Sequence, residues 1–391
     1  MNNILHEAQS LFQYTQYLRR DFHRHPELGF QEVRTASVVA RELNTLGLEV
    51  TTGIGKTGVI ALIESSRPGP TVLLRFDMDA LPIPEATGAE YASENPGVMH
   101  ACGHDGHVAV GLTVARLLNE RRDEWAGIVK LVFQPAEEGL GGAEAMITDG
   151  VLISPRPDVT LALHLWNEKP VGWLGIAPGP VMAASEIFSV RITGKGGHGA
   201  SPHATIDPVL AAAQVVNALQ GIVARNVAPL QSAVISVTMV HTGDAFNIIP
   251  QTVDMKGTIR TFDPDVRERV LERFNQVIIN VTQAFECHVE VEVKSITPAV
   301  VNDPEITRRV RQVAENLQLG GEIPLAYSTM GSEDMAFMMQ DIPSCYFFVG
   351  SANPDKGLDY SHHHPKFDVD EASLPRAAAL MTAAAMDFLK I

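Results

Sequence analysis

Residues 99–107 read MHACGHDGH and bring His100, Cys102, His104, Asp105 and His107 into one short run. Thiolate and imidazole together are the donors that borderline transition ions such as zinc, manganese, cobalt or nickel take. Gly103 and Gly106 interrupt the run, which then passes into an apolar helical pattern over residues 108–118. It therefore reads as a loop entering a helix, where side chains can turn inward on a ligand. Polar capping of a helix entrance would explain Asp105, but it does not call for one Cys and three His. Upstream, residues 58–64 (GVIALIE) and 71–76 (TVLLRF) are short apolar runs bounded by Gly and Pro, as buried strands are. Strand, donor-bearing loop and helix in succession have the texture of an α/β domain.

The second of these strands runs straight into Asp77-Met78-Asp79. Carboxylates at a strand's C-terminal end in an α/β sheet sit where ligands bind. Two apart on an extended backbone, Asp77 and Asp79 share a face. Turn chemistry and the orienting of a ligating His from behind are both open to the pair. Residues 127–133 (GIVKLVF) read as another strand, ending in Gln134-Pro135-Ala136-Glu137-Glu138-Gly139. Neighbouring acids there can point differently, so that one binds metal while the other moves protons, which is the equipment of hydrolysis. Residues 159–163 are a further strand, closing on His164-Leu165-Trp166 as a third strand-end donor. Nearer the N-terminus, residues 3–20 and 33–48 have helical spacing. Between them His23 and His25 read as buried, hydrogen-bonded loop residues rather than ligands.

Around residues 181–184 the pattern changes. Strand 185–193, helix 207–225, strands 232–240 and 253–262, helix 265–285 and strand 287–294 follow in the βαββαβ order of a ferredoxin-like sandwich. The expected organisation is a mixed-sheet α/β domain made of residues 1–183 and 296–391, interrupted by an inserted domain over 184–295. The insert carries a Gly-rich loop with two His, GKGGHGASPH at 194–203, which lacks the Walker pattern. It also carries Asn247 and Arg260, residue types that hold carbonyl and carboxylate groups. Beyond it, residues 304–316 and 330–339 read as helices, the latter with an acidic first turn. A buried strand at 345–349 precedes the internal triplet His362-His363-His364 and a final Ala-rich helix.

The 391 residues are 45% hydrophobic and 19% charged, the profile of a globular protein long enough for two domains. A formal charge of −16 argues against nucleic acid or an acidic membrane as partner. Three cysteines, Cys102, Cys287 and Cys345, are too few and too scattered for a disulfide scaffold. The N-terminal residues show no basic start followed by an apolar run, and no stretch approaches a membrane span. A cytoplasmic enzyme is the expectation.

The motifs RFDMDALP, MHACGHDGH, QPAEEG, ALHLW, GKGGHGASPH, NIIP, GTIRTF, MGSEDMAF and HHPKFDVDE occur in that order between His23 and Glu371. Together they resemble the co-catalytic metal-dependent amidohydrolases that include hippurate hydrolase, N-acyl-amino-acid deacylases and the plant auxin-conjugate hydrolases. The resemblance implies a metallo-aminopeptidase-like catalytic domain with an inserted dimerisation and lid domain. It implies two divalent ions per subunit (zinc, manganese, cobalt or nickel) on Cys102, His104, Glu138, His164 and His363. Glu137 would be general base and acid. His198 would stabilise the oxyanion from the partner subunit of a homodimer or dimer-based tetramer, while Asn247 and Arg260 position substrate. His363 is selected from the triplet because the family's ligand stands two before the Pro. The implied substrate is a small N-acyl or N-aroyl amino acid, with short peptides the alternative. Two departures are His364, where the family commonly has Asn or Ser, and Phe76, where it commonly has Ala.

Overall fold

The computed structural model describes residues 3–390. The chain opens with helices α1 (Ile4–Ser10), α2 (Phe12–Arg24) and α3 (Val33–Thr45). The single helix expected over 3–20 is thus two, separated at Leu11, and helix α2 runs on past residue 20 to carry His23. Strands β1 (Glu49–Ile54), β2 (Gly58–Glu64) and β3 (Thr71–Asp77) follow, then α4 (His104–Glu120), β4 (Ile128–Gln134), α5 (Gly142–Thr148) and β5 (Val159–Pro170). Short strands β6 (Leu174–Gly175) and β7 (Gly179–Met182) lead to β8 (Ala184–Thr193), β9 (Gly197–His198), α6 (Pro208–Asn226), β10 (Ala233–His241) and β11 (Ile248–Ile249). Then come β12 (Thr252–Thr261), α7 (Pro264–Ala284), β13 (His288–Thr297), β14 (Val300–Asn302), α8 (Pro304–Leu317), α9 (Met335–Met339), β15 (Ser344–Ala352) and α10 (Leu374–Phe388).

Two compact units result. The first takes the chain up to Val181, then Val300–Ser328 and everything from Glu333; the second takes Met182–Ala299 with Thr329–Ser332. In the first, a seven-stranded mixed sheet has the order β1-β2-β4-β3-β5-β15-β6. Its four middle strands β4, β3, β5 and β15 are parallel; β2 and β6 pair antiparallel with them on either side, and β1 pairs antiparallel with β2 at the edge. Every residue of β3 is buried, as covering on both faces of a parallel sheet requires. Helix α4 is apolar around most of its circumference, and packs against α2 and α10. The Ala-rich sequence of α10 lets it approach closely. Gly111 on α4 lies directly over Phe76 and Phe133, whose tilted rings pack at 5.5 Å; a Cβ at Gly111 would stand 2.7 Å from Phe76.

The second unit is a four-stranded antiparallel sheet of order β10-β12-β8-β13, with α6 and α7 packed on it. Alternation builds its core: Phe188, Val190 and Ile192 of β8 face inward with Val253, Met255 and Ile259 of β12. Val215, Leu219, Val270, Phe274 and Ile278 complete it from the helices. Helices α6, α7 and α8 all begin with an Asp-Pro pair. The side chains of Asp207, Asp263 and Asp303 accept two backbone N–H groups each, and Pro supplies the preset φ of the first helical position.

Candidate active site

The sheet order reverses beside β3. From there the chain passes through α4 to β4 on one side, while β5 and β15 lie on the other. Ligands of open α/β sheets bind at the C-terminal ends of strands at such a point. Pairing of β3 with β5 stops at Arg75 opposite Ala162, but β5 continues along β15, with His164 opposite Phe348. His164 is therefore not a strand-end residue, as the apolar run suggested. It stands inside a strand of twelve residues, just past the place where that strand leaves β3.

Around this opening the donors converge. Ligand atoms of Cys102, His104 and His164 lie within 4.8 Å of one another, as do those of Cys102, Glu138 and His363, and those of His104, Glu137 and Glu138. The histidine tautomers follow from their other contacts. His104 Nδ1 lies 2.9 Å from the Asp79 backbone oxygen and 3.2 Å from its Oδ1, both acceptors, so Nδ1 carries the proton. His164 Nδ1 likewise donates to Leu165 O at 2.7 Å. Each ring then turns an Nε2 lone pair toward the cluster. His104 Nε2 and Glu138 Oε1 are buried without a hydrogen-bond partner, and Glu138 Oε1 lies 3.2 Å from His363 Nε2. Burial opposes charge on His104, but Asp77, Asp79 and Glu138 outweigh it and push its pKa up to about 10. Orphaned lone pairs in an electrostatic environment that favours positive charge fit a divalent cation, and the S, N and O donors suit zinc or its neighbours.

Of the His triplet, only His363 enters a group. His362 Nε2 lies 3.0 Å from Leu165 O, and its ring packs on Trp166 at 4.7 Å; His364 stacks on Tyr360 at 4.6 Å. His363 is held by its N–H to Ala101 O at 2.8 Å, and its backbone is left-handed at φ 64. His107 turns away: Nδ1 donates to Asp77 at 2.5 Å and Nε2 accepts from Leu165 N–H at 2.9 Å. His100 is buried with both ring nitrogens unpartnered, and burial lowers its pKa to about 4.

Behind the donors, Asp77 and Asp79 are joined by arginines and carboxylates that composition and spacing did not reveal. Asp79 joins His104 to the acidic turn, its Oδ2 accepting Glu138 N–H at 3.0 Å. Arg75 is wholly buried, paired with Asp77 at 2.6 Å, Glu333 at 2.8 Å and Asp334 at 3.2 Å, and it donates to Gln134 at 2.9 Å. Tyr346 adds a hydrogen bond to Glu333 at 2.7 Å. Glu333 and Asp334 precede α9 rather than forming its acidic first turn, because the helix starts only at Met335. A second buried arginine, Arg19 of α2, binds Asp105 at 2.8 Å and Asp368 at 2.5 Å, linking the donor loop to the segment after His363. His23 joins it at 2.7 Å from Asp105, on a helix rather than in the loop expected. The only signal for these partners was an Arg in an apolar strand and a helix face carrying Arg and His.

Glu137 and Glu138 are split by the backbone before them. Ala136 is left-handed at φ 55, a conformation costing an L-residue about 1–2 kcal/mol. Glu138 is turned to Cys102 and His363, while Glu137 also reaches Glu333 and Asp334 and lies 3.4 Å from Asp334 N–H. Loss of water, with Glu333, Glu138 and Asp334 as neighbours, holds the Glu137 carboxyl well above its usual range. In the second unit, His198 and Asn247 come together. Strand β9 pairs with β11, and Gly199 N–H donates to Asn247 O at 2.8 Å. Both side chains are exposed. Arg260 lies toward the far end of the four-stranded sheet: Thr252 of β12 pairs with Thr193 near the His198 loop, and Arg260 pairs with Ser185. Eight residues of strand separate those pairs, about 27 Å.

This fold and this convergence of donors define a hydrolase of the co-catalytic type. The model of peptidase family M20/M25/M40 matches residues 73–387, and the chain belongs to that family. The N-acetyl-L-cysteine deacetylase of Bacillus subtilis is 41% identical over 95% of the chain and 87% of its own length. Thermostable carboxypeptidase 1 of Saccharolobus solfataricus is 40% identical over 95% and 94%. The crystal structure of Bacillus subtilis YXEP protein, described as a dinuclear metal binding peptidase of this family, superimposes with a TM-score of 0.85 at 34% identity, covering 97% of this chain and 99% of that one.

Proposed function

We propose that the chain hydrolyses the amide bond of N-acyl or N-aroyl amino acids, releasing a carboxylic acid and a free amino acid. Cys102, His104, Glu138, His164 and His363 would hold two divalent ions, with Glu137 as base and acid. The observation that carries this reading is the different company the adjacent carboxylates keep: both lie near His104, but only Glu138 also shares a donor group with Cys102 and His363, while Glu137 shares one with Glu333 and Asp334. Two cations held there would supply a lowered pKa for the attacking water and polarisation of the scissile carbonyl. Glu137 takes one proton from that water as its oxygen adds to the carbonyl carbon. It then delivers the proton to the amide nitrogen, so that the C–N bond breaks to a neutral amine and a carboxylic acid. Asp79 orients the ligating imidazole of His104 and keeps its Nδ1 protonated, whereas Asp77, expected in the same role, holds the Nδ1 of the non-ligating His107. The deacetylase relative supports an N-acyl amino acid as substrate.

A homodimer, alone or within a tetramer, is part of the same reading. His198 and Asn247 lie too far from Arg260 in one chain for all three to touch one small substrate. Exchange across a two-fold axis would resolve this, with His198 and Asn247 coming to a site from one subunit and Arg260 from the other. Exposed Met239, Val240, Phe246 and Ile248 near the unpaired edge of β10 support such a contact. Three unpaired cysteines fit a reducing, cytoplasmic setting. Among the described residues no helix is long and apolar enough to cross a membrane.

A second reading, carboxypeptidase or dipeptidase with the same machinery, is favoured by the thermostable carboxypeptidase relative. A panel of hippurate, N-acetyl amino acids and dipeptides, with zinc, manganese, cobalt or nickel supplied, separates the two. Higher kcat/KM on N-acyl amino acids supports the first reading; preference for dipeptides selects the second. Failure on every substrate with both metals bound overturns both.

A further inference from the structure

Glu32 is a fully buried carboxylate in the N-terminal segment, at the entrance to α3. It makes no ion pair among the described residues, although burying an unpaired carboxylate is costly. One of its oxygens accepts Ala136 N–H at 2.9 Å and the other accepts the Thr57 hydroxyl at 2.6 Å. Ala136 is the left-handed residue that turns β4 into Glu137-Glu138, and its carbonyl accepts Gly142 N–H at 3.1 Å. The N-terminal segment is shaped to this turn at a second point: a Cβ on Gly29 would lie 3.0 Å from Ala136 Cα.

We infer that Glu32 is a positioning residue for Glu137, holding Ala136 in the left-handed conformation that sends the two successive carboxylates in different directions. The inference rests on Glu137 being the base. Without the acceptor, Ala136 N–H is left buried and unpaired, and the peptide can relax toward an ordinary strand or helix geometry. That relaxation re-aims Glu137 first, because Glu138 N–H is separately held by Asp79. Catalysis falls while the metal donors stay in place.

The test compares wild type, Glu32→Gln, Glu32→Asp, Glu32→Ala, Ala136→Gly and the double variants, reading kcat and KM on hippurate, metal content and thermal melts. Glu32→Ala should lower kcat by about ten- to a hundredfold, the usual penalty of a small displacement of a reacting group, with bound metal unchanged. Glu32→Gln keeps an acceptor oxygen and should stay near wild type. Glycine adopts a positive φ without being held, so Ala136→Gly added to Glu32→Ala should recover most of the lost kcat. A Glu32 that merely supported α3 would give no such recovery. If Glu32→Ala does not fold, Glu32→Asp, which shortens the reach, carries the same comparison. Unchanged kcat in the folded variant, or no recovery in the double variant, overturns the inference. Wild type and Glu137→Ala run in the same series: equal activity of the two would instead sink the assignment of Glu137 as base.

Discussion

Arg75 and Asp77, two residues apart on β3, project to one face of the strand and pair at 2.6 Å with both side chains wholly buried. The same guanidinium meets Glu333 and Asp334, so one cation serves the carboxylates behind His107 and those beside Glu137. Breaking a buried pair leaves an uncompensated charge and costs about 3–5 kcal/mol. Arg75→Met should therefore lower the unfolding free energy obtained from a urea titration by that much, seen as a lower midpoint. Arg75→Lys should recover only part, since a single ammonium cannot reproduce the planar fork. A midpoint for Arg75→Met within error of wild type would show that the network contributes nothing.

Gly111 and Phe76 form a size-matched pair across α4 and β3. Gly111→Ala should destabilise by about 1–3 kcal/mol, as overpacking of a tight core does. Phe76→Ala makes room for the added methyl, so the double variant should be more stable than the sum of the single changes predicts. Strict additivity in denaturant midpoints would contradict the contact.

His23 gives a pH signature. Burial opposes its charge, but Asp105 and Glu85 together outweigh both that and the repulsion of Arg19, and the pKa is pushed up to about 9 from 6.5. A group whose folded pKa is raised adds stability that is complete below about pH 6.5 and is lost as pH rises through about 9. The unfolding midpoint should fall over that window more steeply in wild type than in His23→Gln. Parallel pH profiles for the two proteins would rule out a charged His23.

Much of this architecture can be read from residue order. Cys102, His104 and Glu138 stand out because their types are rare together and cluster in short stretches. The βαββαβ order of the second unit follows from alternation on β8 and one-sided helices. The break at Leu11 left no trace, since neither Gly nor Pro marks it and the apolar spacing continues across it. Strand β5 was read as ending at His164 because its tail pairs with β15, a neighbour distant in sequence. Arg19, Glu32 and Arg75 escaped for the same reason: the partners that make them matter lie up to hundreds of residues away, and local pattern carries no record of them.

The separation of His198 and Arg260 within the second unit, in the dimer proposed above, predicts complementation between subunits. His198→Ala and Glu137→Ala homodimers should each be nearly inactive. After subunit exchange, mixed dimers should regain activity, up to about a quarter of the sites for equal mixing. Exchange confirmed by native mass spectrometry without recovered turnover would assign His198 to its own chain.

The central claim is that five donors grip two divalent ions and leave Glu137 ungripped. Metal content per chain after loading with zinc or manganese and removal of excess tests it most directly. Two ions in wild type and in Glu137→Ala, with at most one in Glu138→Ala, is the predicted result. Loss of metal from Glu137→Ala, or two ions retained by Glu138→Ala, would contradict it.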